Sequence, residues 1–187
     1  DGLVRLWTYP EGEVLAELTG HTEMAVAVRF APDGLKVASA SYDGTVRLWN
    51  VVSGNESRKC EIALAEGERP APIFSVAFSH DGQRVAAVGK DQIVRTWSAV
   101  AVGPANEFKG HTDAIYLVAF SSSNTRLLSC GHAGSLIVWN AADGAKLFTN
   151  KLPSVAYSAT YSPDGARIVA SCSNASSVLV NVPAAAR

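Results

Sequence analysis

The chain has 187 residues, of which 48% are hydrophobic and 18% are charged, and its formal net charge is −1. This balance gives no electrostatic basis for binding nucleic acid or an anionic membrane surface, and no apolar run is long enough to insert into a membrane. The composition is typical of a packed soluble domain. With no signal peptide visible, the cytoplasm is the expected compartment, although a shortened start would also lack such a signal.

One short pattern recurs four times along the chain. It ends in Trp7, Trp49, Trp97 and Trp139, at intervals of about forty residues. Self-similarity at such a period is typical of an array in which one structural unit is repeated. The sequence therefore predicts a repeat protein over its whole length.

Each repeat has a second landmark, an apolar run that ends in an aromatic residue and precedes a turn. The runs end at Phe30, Phe78, Phe120 and Tyr161. Three of the four turns contain Asp-Gly, which indicates a β-hairpin because glycine adopts positive φ without a steric penalty. No segment has a convincing helical stripe. The predicted fold is therefore all-β.

The first complete repeat illustrates the predicted strands. Alternating apolar residues and turn signals predict four strands, over Ala25–Phe30, Leu35–Ala40, Thr45–Asn50 and Ser57–Ala63. The last repeat has three such runs, over Val155–Tyr161, Arg167–Cys172 and Ser177–Val182. A unit of four short strands is thus predicted, with one strand fewer in the last repeat.

This unit resembles a WD40 repeat. The resemblance rests on Gly20-His21-Thr22, Phe30-Ala-Pro-Asp-Gly34, Ser39-Ala-Ser-Tyr-Asp43-Gly44 and Trp49-Asn50, and it recurs in register over nearly the whole chain. It implies a β-propeller in which each blade is a four-stranded antiparallel sheet beside a central channel.

The resemblance divides the chain into one partial propeller domain. Residues 1–19 would end a preceding blade, residues 20–64, 65–109 and 110–150 would form three blades, and residues 151–187 would form a last blade without its outer strand. WD40 rings usually have about seven blades. The chain is therefore expected to be the C-terminal part of a longer propeller, similar to bacterial WD40 arrays, with its other blades on a missing N-terminal segment. The alternatives are a closed four-bladed ring and two chains that form an eight-bladed ring.

Closure of a ring would require an outer strand for the last blade. The strand predicted over Val14–Leu18 is a candidate for this clasp, but it would leave Leu3–Trp7 as an unpaired edge, which favours aggregation. An open arc would instead expose the flanks of both end blades. The isolated chain is therefore expected to behave poorly in solution.

His21, Ser39 and Asp43 are the residue types of a catalytic triad, but the resemblance implies a structural role. In WD40 repeats these positions form a buried hydrogen-bond relay with the tryptophan, here His21–Ser39–Asp43–Trp49, and pairing makes the buried polar groups tolerable. The other repeats keep parts of this relay, namely Asp91 and Trp97, then His111, Ser129 and Trp139, and finally Ser171. No catalytic residue is predicted.

The resemblance also implies a binding surface, because WD40 propellers often bind partners where the loop between blades meets the innermost strand. The corresponding positions are Met24, Val26, Tyr42, Phe74, Lys90, Tyr116, His132, Tyr157 and Asn174. Aromatic side chains there provide contact area at low entropic cost. Alternatively, Val26, Phe74, Tyr116 and Tyr157 share the parity of core residues on their strands and would extend the core between blades.

The second repeat contains a few extra residues around Ala65–Pro70, which form either a partner contact or a solvated variation in loop length. Cys60, Cys130 and Cys172 are too dispersed for a zinc motif or a disulfide framework. Neither a metal nor another cofactor is predicted.

Two functions fit these observations. The first is a non-catalytic scaffold that binds a protein or peptide on the propeller face. The second is a sensory or regulatory part of a larger bacterial multidomain protein, for example one fused to an enzyme. An enzyme activity of the chain itself is disfavoured, because the relay accounts for its triad-like residues.

Overall fold

In the computed structural model, which describes residues 1–62 and 67–186, the chain folds into five antiparallel β-sheets. Three sheets have four strands each, and the strands of every sheet are adjacent in chain order. Within the described residues, the single helical element is a short 3-10 helix, Ala184–Ala186. The predicted all-β fold of four-stranded antiparallel units is confirmed.

Each sheet corresponds to one repeat. An N-terminal hairpin pairs β1 (Val4–Trp7) with β2 (Val14–Leu18). The first complete blade contains β3 (Ala25–Phe30), β4 (Lys36–Ser41), β5 (Val46–Asn50) and β6 (Glu56–Cys60). The second blade contains β7 (Ile73–Phe78), β8 (Arg84–Gly89), β9 (Ile93–Ser98) and β10 (Asn106–Lys109).

Two further blades follow. The third blade contains β11 (Ile115–Phe120), β12 (Arg126–Gly131), β13 (Ser135–Asn140) and β14 (Lys146–Lys151). The last blade has three described strands, β15 (Ala156–Tyr161), β16 (Arg167–Cys172) and β17 (Ser177–Asn181). Several strands begin or end one residue from the predicted positions, and the predicted end of the fourth strand at Ala63 lies outside the described residues.

The hydrophobic core lies between neighbouring sheets. Leu48 of the first blade packs with Val76 and Trp97 of the second, and Val88 of the second packs with Trp139 of the third. Both faces of the middle strands are therefore covered. This explains why β4, β8 and β12 are nearly continuously buried instead of alternating.

Basic side chains at the starts of the second strands add polar links between blades. The Lys36 ammonium donates to the backbone carbonyl of Ala99 at 3.1 Å, across to the second blade. One blade further on, the Arg84 guanidinium donates to the carbonyl of Ala141 at 2.8 Å. These bonds fix the relative positions of consecutive blades, because each joins a side chain to the neighbouring backbone.

The N-terminal hairpin does not supply a strand to the last blade. Val14–Leu18 pairs with Val4–Trp7 instead, in a register that places Val4 opposite Leu18. This pairing buries Leu6 and Leu18 against Trp49 of the first blade. The structure thus contains β1–β2 as a paired hairpin, and neither strand is the predicted clasp.

The outward flanks of the array remain apolar and exposed. On the last blade, β16 is buried on one face only, and Val169 and Leu179 are 44% and 62% exposed. At the other end, Phe30 of β3 is 61% exposed. These positions differ from their equivalents in the middle blades because no described sheet covers the last blade, and because the N-terminal hairpin provides only two strands to cover the first.

One edge of the array carries the features that were predicted to be functional. We call it the upper edge and define it by the turns that follow β4, β8, β12 and β16. Four equivalent backbone bonds tie these turns to the loops between blades, from Tyr42 to Met24, Lys90 to Pro72, His132 to Ala114 and Ser173 to Val155, each at 2.9–3.0 Å. The inner strands β3, β7, β11 and β15 lie side by side and present their starts along this edge.

Candidate protein-binding surface

The first complete blade contains a continuous hydrogen-bond chain below the upper edge. The Trp49 indole N–H donates to Ser39 Oγ at 2.8 Å, and Ser39 Oγ lies 2.7 Å from His21 Nε2. His21 Nδ1 lies 2.8 Å from Asp43 Oδ2. A carboxylate can only accept, so the neutral imidazole donates from Nδ1 and accepts the Ser39 hydroxyl proton at Nε2.

The surroundings hold this chain in one charge state. Burial lowers the pKa of His21, and the hydrogen bond and negative charge of Asp43 offset only part of that effect. Burial acts to raise the pKa of Asp43, but hydrogen bonds from Thr45, His21 and the backbone amides of Thr45 and Thr22 outweigh it and lower this pKa to about 2. At neutral pH the pair is therefore a neutral imidazole beside a carboxylate.

The third blade builds the same chain without an acid. The Trp139 indole N–H donates to Ser129 Oγ at 2.7 Å, and Ser129 Oγ lies 2.6 Å from His111 Nε2. Ala133 stands where the first blade has Asp43, and Ser135 Oγ instead lies 2.8 Å from His111 Nδ1. Burial and the positive charge of Lys146 lower the pKa of His111 to about 4.

Sequence reasoning missed the second hydroxyl in these chains. Thr45 in the first blade and Ser135 in the third occupy equivalent positions, two residues after the acid position. Thr45 Oγ1 donates to Asp43 Oδ1 at 2.7 Å and lies 3.2 Å from His21 Nδ1. A hydroxyl residue at this position in both histidine-containing repeats is the signal that would have identified them.

The second blade uses its acid differently. Ala87 has no hydroxyl to accept from Trp97, and Asp91 forms an ion pair with Arg95. Arg95 Nε also donates to Glu107 at 2.8 Å, and the Arg95 side chain is buried. In this blade the acid and the tryptophan are thus not joined by a serine, and an arginine takes over the role of the histidine as the partner of the acid.

In the last blade, the predicted repeat positions of Ser171 and Asn174 are each wrong by one residue. Arg167 is opposite Asn181 in the same way as Lys36 is opposite Asn50. This register places Ala170, not Ser171, at the position of the relay serine, and Val180 at the position of the tryptophan. Ser171 is exposed on the open flank and belongs to no relay of the described residues.

The hairpin turn of the last blade has the same offset. Ala175 has a φ of 61°, and Gly44 has a φ of 75° at the equivalent turn position. Asn174 is therefore the equivalent of Asp43, and Ser173 is the equivalent of Tyr42, Lys90 and His132. Asn174 was predicted to lie just before the acid position, but it occupies the acid position itself. The last repeat has no tryptophan from which to count.

The aromatic candidates come together in one surface feature. Tyr42, Phe74, Tyr116 and Tyr157 form a continuous series that we call the aromatic row. The distances between neighbouring ring centroids are 5.8 Å, 5.6 Å and 5.4 Å. Each of the four consecutive blades contributes one ring. Phe74 and Tyr116 are half-buried, whereas Tyr157 is 58% exposed.

Tyr42 enters the row from a different position of the repeat than the other three rings. Phe74, Tyr116 and Tyr157 stand on β7, β11 and β15, where the first blade has Val26 on β3. Tyr42 reaches Phe74 from the hairpin turn of the first blade. Val26 and Met24 are exposed aliphatic side chains on the same edge.

Polar groups flank the row near its middle. The His132 ring centroid lies 6.3 Å from that of Tyr116, and His132 Nδ1 lies 2.9 Å from Asp113 Oδ2. The backbone amide of Ala114 and the His132 ring hold the pKa of Asp113 below its usual value. Lys90 is exposed, and its backbone amide is bonded to Pro72. Asp113 was not among the predicted residues.

The remaining predictions concern the inserted loop, metal binding, the cysteines and insertion into a membrane. The first two residues of the loop predicted around Ala65–Pro70 lie outside the described residues. Among the described residues there is no group of three or more His, Cys, Asp or Glu side chains that could hold a metal ion. Cys60, Cys130 and Cys172 are buried free thiols. Within residues 1–62 and 67–186, no helix is long and apolar enough to cross a membrane.

Comparison with known proteins gives partial matches to much longer chains. Cell division cycle 20.1, cofactor of APC complex, from Arabidopsis thaliana is 48% identical over 54 residues, which are 29% of this chain and 12% of that protein. Anaphase-promoting complex subunit cdc20 from Dictyostelium discoideum is 50% identical over 46 residues, or 25% of this chain and 9% of that protein. Apoptotic protease-activating factor 1 from Rattus norvegicus is 29% identical over 147 residues, or 79% of this chain and 11% of that protein.

The chain thus spans only about a tenth of the length of these relatives, with shares of 12%, 9% and 11%. The family model described as WD40: WD domain, G-beta repeat matches residues 12–50, 61–98 and 103–140, which together are more than half of the chain. The chain belongs to the WD40 repeat family.

Proposed function

We propose that the chain is a non-catalytic binding platform that holds an extended segment of a partner protein along the aromatic row. WD40 repeats generally mediate protein binding. The observation that carries the proposal is the row itself, in which four consecutive blades place Tyr42, Phe74, Tyr116 and Tyr157 in contact along one edge. Aromatic rings of this kind are the side chains that most often dominate binding energy at interfaces.

The scaffold beneath the row favours binding without large rearrangement. Three of the rings project from bulge positions on paired strands, and the residues on either side of each ring residue are paired within four- or three-stranded sheets. The turn that carries Tyr42 is tied to Met24 by a backbone bond of 3.0 Å. A surface held in this way loses little conformational entropy when a partner binds.

The same geometry argues against catalysis by the triad-like residues. Both ring nitrogens of His21 are engaged, and Ser39 is fully buried between the imidazole and the Trp49 indole. A nucleophile must reach a substrate carbonyl, and this hydroxyl has no exposed path to one. The chain Trp49–Ser39–His21–Asp43 therefore serves as an internal brace for the upper edge.

Peptide display tests the proposal and does not require an identified partner. A random peptide library would be selected on the wild-type chain, and the affinity of selected peptides would be measured for wild type and Tyr116→Ala. We expect the substitution to weaken binding about tenfold or more, since Tyr116 contacts two other rings of the row.

Val102→Ala is the matched control for this experiment. Val102 is 95% exposed and lies in the loop between β9 and β10, on the edge opposite the row. The control should leave the affinity unchanged. Selected peptides that bind Tyr116→Ala and Phe74→Ala as tightly as wild type would rule out the row as the binding surface.

A second candidate function is the regulatory part of a larger polypeptide. It is supported by the lengths of the relatives, since the chain corresponds to 11% of the rat protein over most of its own sequence. The relatives named above come from Arabidopsis, Dictyostelium and rat, and so lend no support to a bacterial origin. The test is the coding sequence that surrounds this chain. If it encodes an enzyme, the activity of that enzyme should change when a selected peptide occupies the row.

A further inference from the structure

The hydrogen-bonding groups on the aromatic row are unused. Within the described residues, the hydroxyl groups of Tyr42, Tyr116 and Tyr157 form no hydrogen bond. Phe74 contributes only its ring. The row therefore combines apolar ring faces with up to three free O–H donors, and it contains no charged side chain.

We propose that the occupant of the row is a proline-rich segment in the polyproline II conformation. This inference rests on the proposed function, because it names the chemistry of the partner for the same surface. Charge complementarity is its first support. The four rings carry no charge, and the flanking Lys90 is balanced by Asp113, so the surface suits an uncharged segment and has no excess of basic side chains for the phosphates of a single-stranded nucleic acid.

Hydrogen-bond complementarity selects the conformation. A polyproline II segment has no internal hydrogen bonds, so its carbonyl oxygens remain free to accept from the tyrosine hydroxyls. The carbonyls of an α-helix are already bonded within the helix. An added β-strand would need a free backbone edge, but the row consists of side chains from four different sheets.

The length of the row sets the length of the segment. Neighbouring ring centroids are separated by 5.4–5.8 Å. Polyproline II rises about 3.1 Å per residue and has three residues per turn, so residues on one face recur about every 9 Å. A segment of about six residues, or two turns, therefore runs along all four rings. Proline rings pack well on aromatic faces, and their preformed backbone loses little entropy on binding.

The direct test uses fluorescein-labelled octaproline as the probe and measures fluorescence anisotropy with the wild-type chain. A labelled peptide of eight alternating alanine and serine residues is the probe control. We expect saturable binding of octaproline and at least tenfold weaker binding of the alanine–serine peptide. Tyr116→Ala should weaken octaproline binding about tenfold or more.

Tyr116→Phe separates the hydroxyl from the ring. It keeps the packing of the row and removes one donor, so we expect affinity for octaproline to fall about three- to tenfold. Tyr9→Phe removes a hydroxyl from a 95% exposed tyrosine in the N-terminal hairpin and should leave affinity unchanged. Thermal melts of each variant verify that the fold is retained.

Three results would overturn the inference. Octaproline that does not bind, or that binds all row variants as tightly as wild type, would exclude a polyproline II occupant. Equal affinity of wild type and Tyr116→Phe would exclude the hydroxyl donors as a determinant. If octaproline fails while display-selected peptides without proline bind in a Tyr116-dependent manner, the inference fails and the proposed function stands.

Discussion

The relays of the first and third blades perform the same structural task with different partners for the histidine. His21 lies 2.8 Å from the carboxylate of Asp43, whereas His111 lies 2.8 Å from the hydroxyl of Ser135. The remaining contacts from histidine to serine to tryptophan agree within about 0.1 Å, at 2.7 Å and 2.8 Å in the first blade and 2.6 Å and 2.7 Å in the third. The distances from histidine to serine and from serine to tryptophan therefore do not depend on the acid.

The two relays differ in their electrostatics. In the first blade the charge of Asp43 offsets part of the effect of burial on the pKa of His21. In the third blade burial is not opposed by an acid, and the charge of Lys146 adds to it, so that the pKa of His111 falls to about 4. The acid thus offsets part of the cost of protonating a buried histidine, and the third blade lacks this offset.

The largest expected effect comes from removing a relay histidine. His21→Ala would leave buried Ser39 and Asp43 without their partner and would open a cavity, so we expect stability at pH 7 to fall by about 3 kcal/mol. Urea unfolding would measure this loss. Peptide binding below the melting temperature should be unchanged.

His80→Ala is the matched control for that variant, because His80 is exposed and its structural bond comes from its backbone amide. Its effect should stay below about 0.5 kcal/mol. Loss of peptide binding by His21→Ala at unchanged stability would contradict the structural role assigned to the relay.

Lowering the pH should increase the difference in stability between the relays of the two blades. The pKa of His111 is about 4 in the folded chain against 6.5 as the reference, so the unfolded chain binds a proton at higher pH. The contribution of neutral His111 is complete above about pH 6.5 and is lost as the pH falls toward 4. Between pH 7 and pH 4.5 we expect stability to fall by roughly 2–3 kcal/mol.

Urea unfolding at pH 7 and pH 4.5 would measure that loss. This range stays above the titration of Asp43, whose pKa is about 2. His111→Asn removes the titrating group, so this variant should be less stable at pH 7 but show a smaller dependence on pH. A pH dependence that is the same in wild type and His111→Asn would assign the acid sensitivity to another part of the molecule.

The smallest expected effect, a gain, comes from giving the third blade the acid of the first. Ala133→Asp would place a carboxylate near His111 Nδ1 and the backbone amide of Thr112, as Asp43 lies near His21 and the amide of Thr22. We expect stability at pH 7 to rise by about 1 kcal/mol, and more at pH 5 because the pKa of His111 would rise.

Ala142→Asp is the control for this gain, since Ala142 is an exposed turn residue of the same blade. It adds the same charge away from the histidine and should change stability by less than about 0.5 kcal/mol. An Ala133→Asp variant that is no more stable than this control would show that Ser135 already satisfies His111 fully.

In the last blade, the repeat positions assigned from the sequence were wrong by one residue. Taking Ser171 as the relay serine shifted the other assigned positions of this repeat by one residue, because this repeat lacks the tryptophan that marks the register in the other three. The basic residue six positions after the aromatic landmark was the more reliable guide: Lys36, Arg84, Arg126 and Arg167 begin β4, β8, β12 and β16. A slip of one residue moves a side chain to the opposite face of its sheet, which explains why Ser171 is exposed and Ala170 is buried.

The sequence by itself determined the repeat, the all-β class and most strand positions, because these follow from local signals such as alternating apolar residues and Asp-Gly turns. Only the tertiary structure decided that Tyr42 joins Phe74, Tyr116 and Tyr157 in one row, and that Ser135 replaces an acid beside His111. It also decided that Val14–Leu18 pairs with Val4–Trp7. The physical reason is that these contacts join residues of different strands or blades, whose distances depend on how strands and sheets pack and not on local sequence.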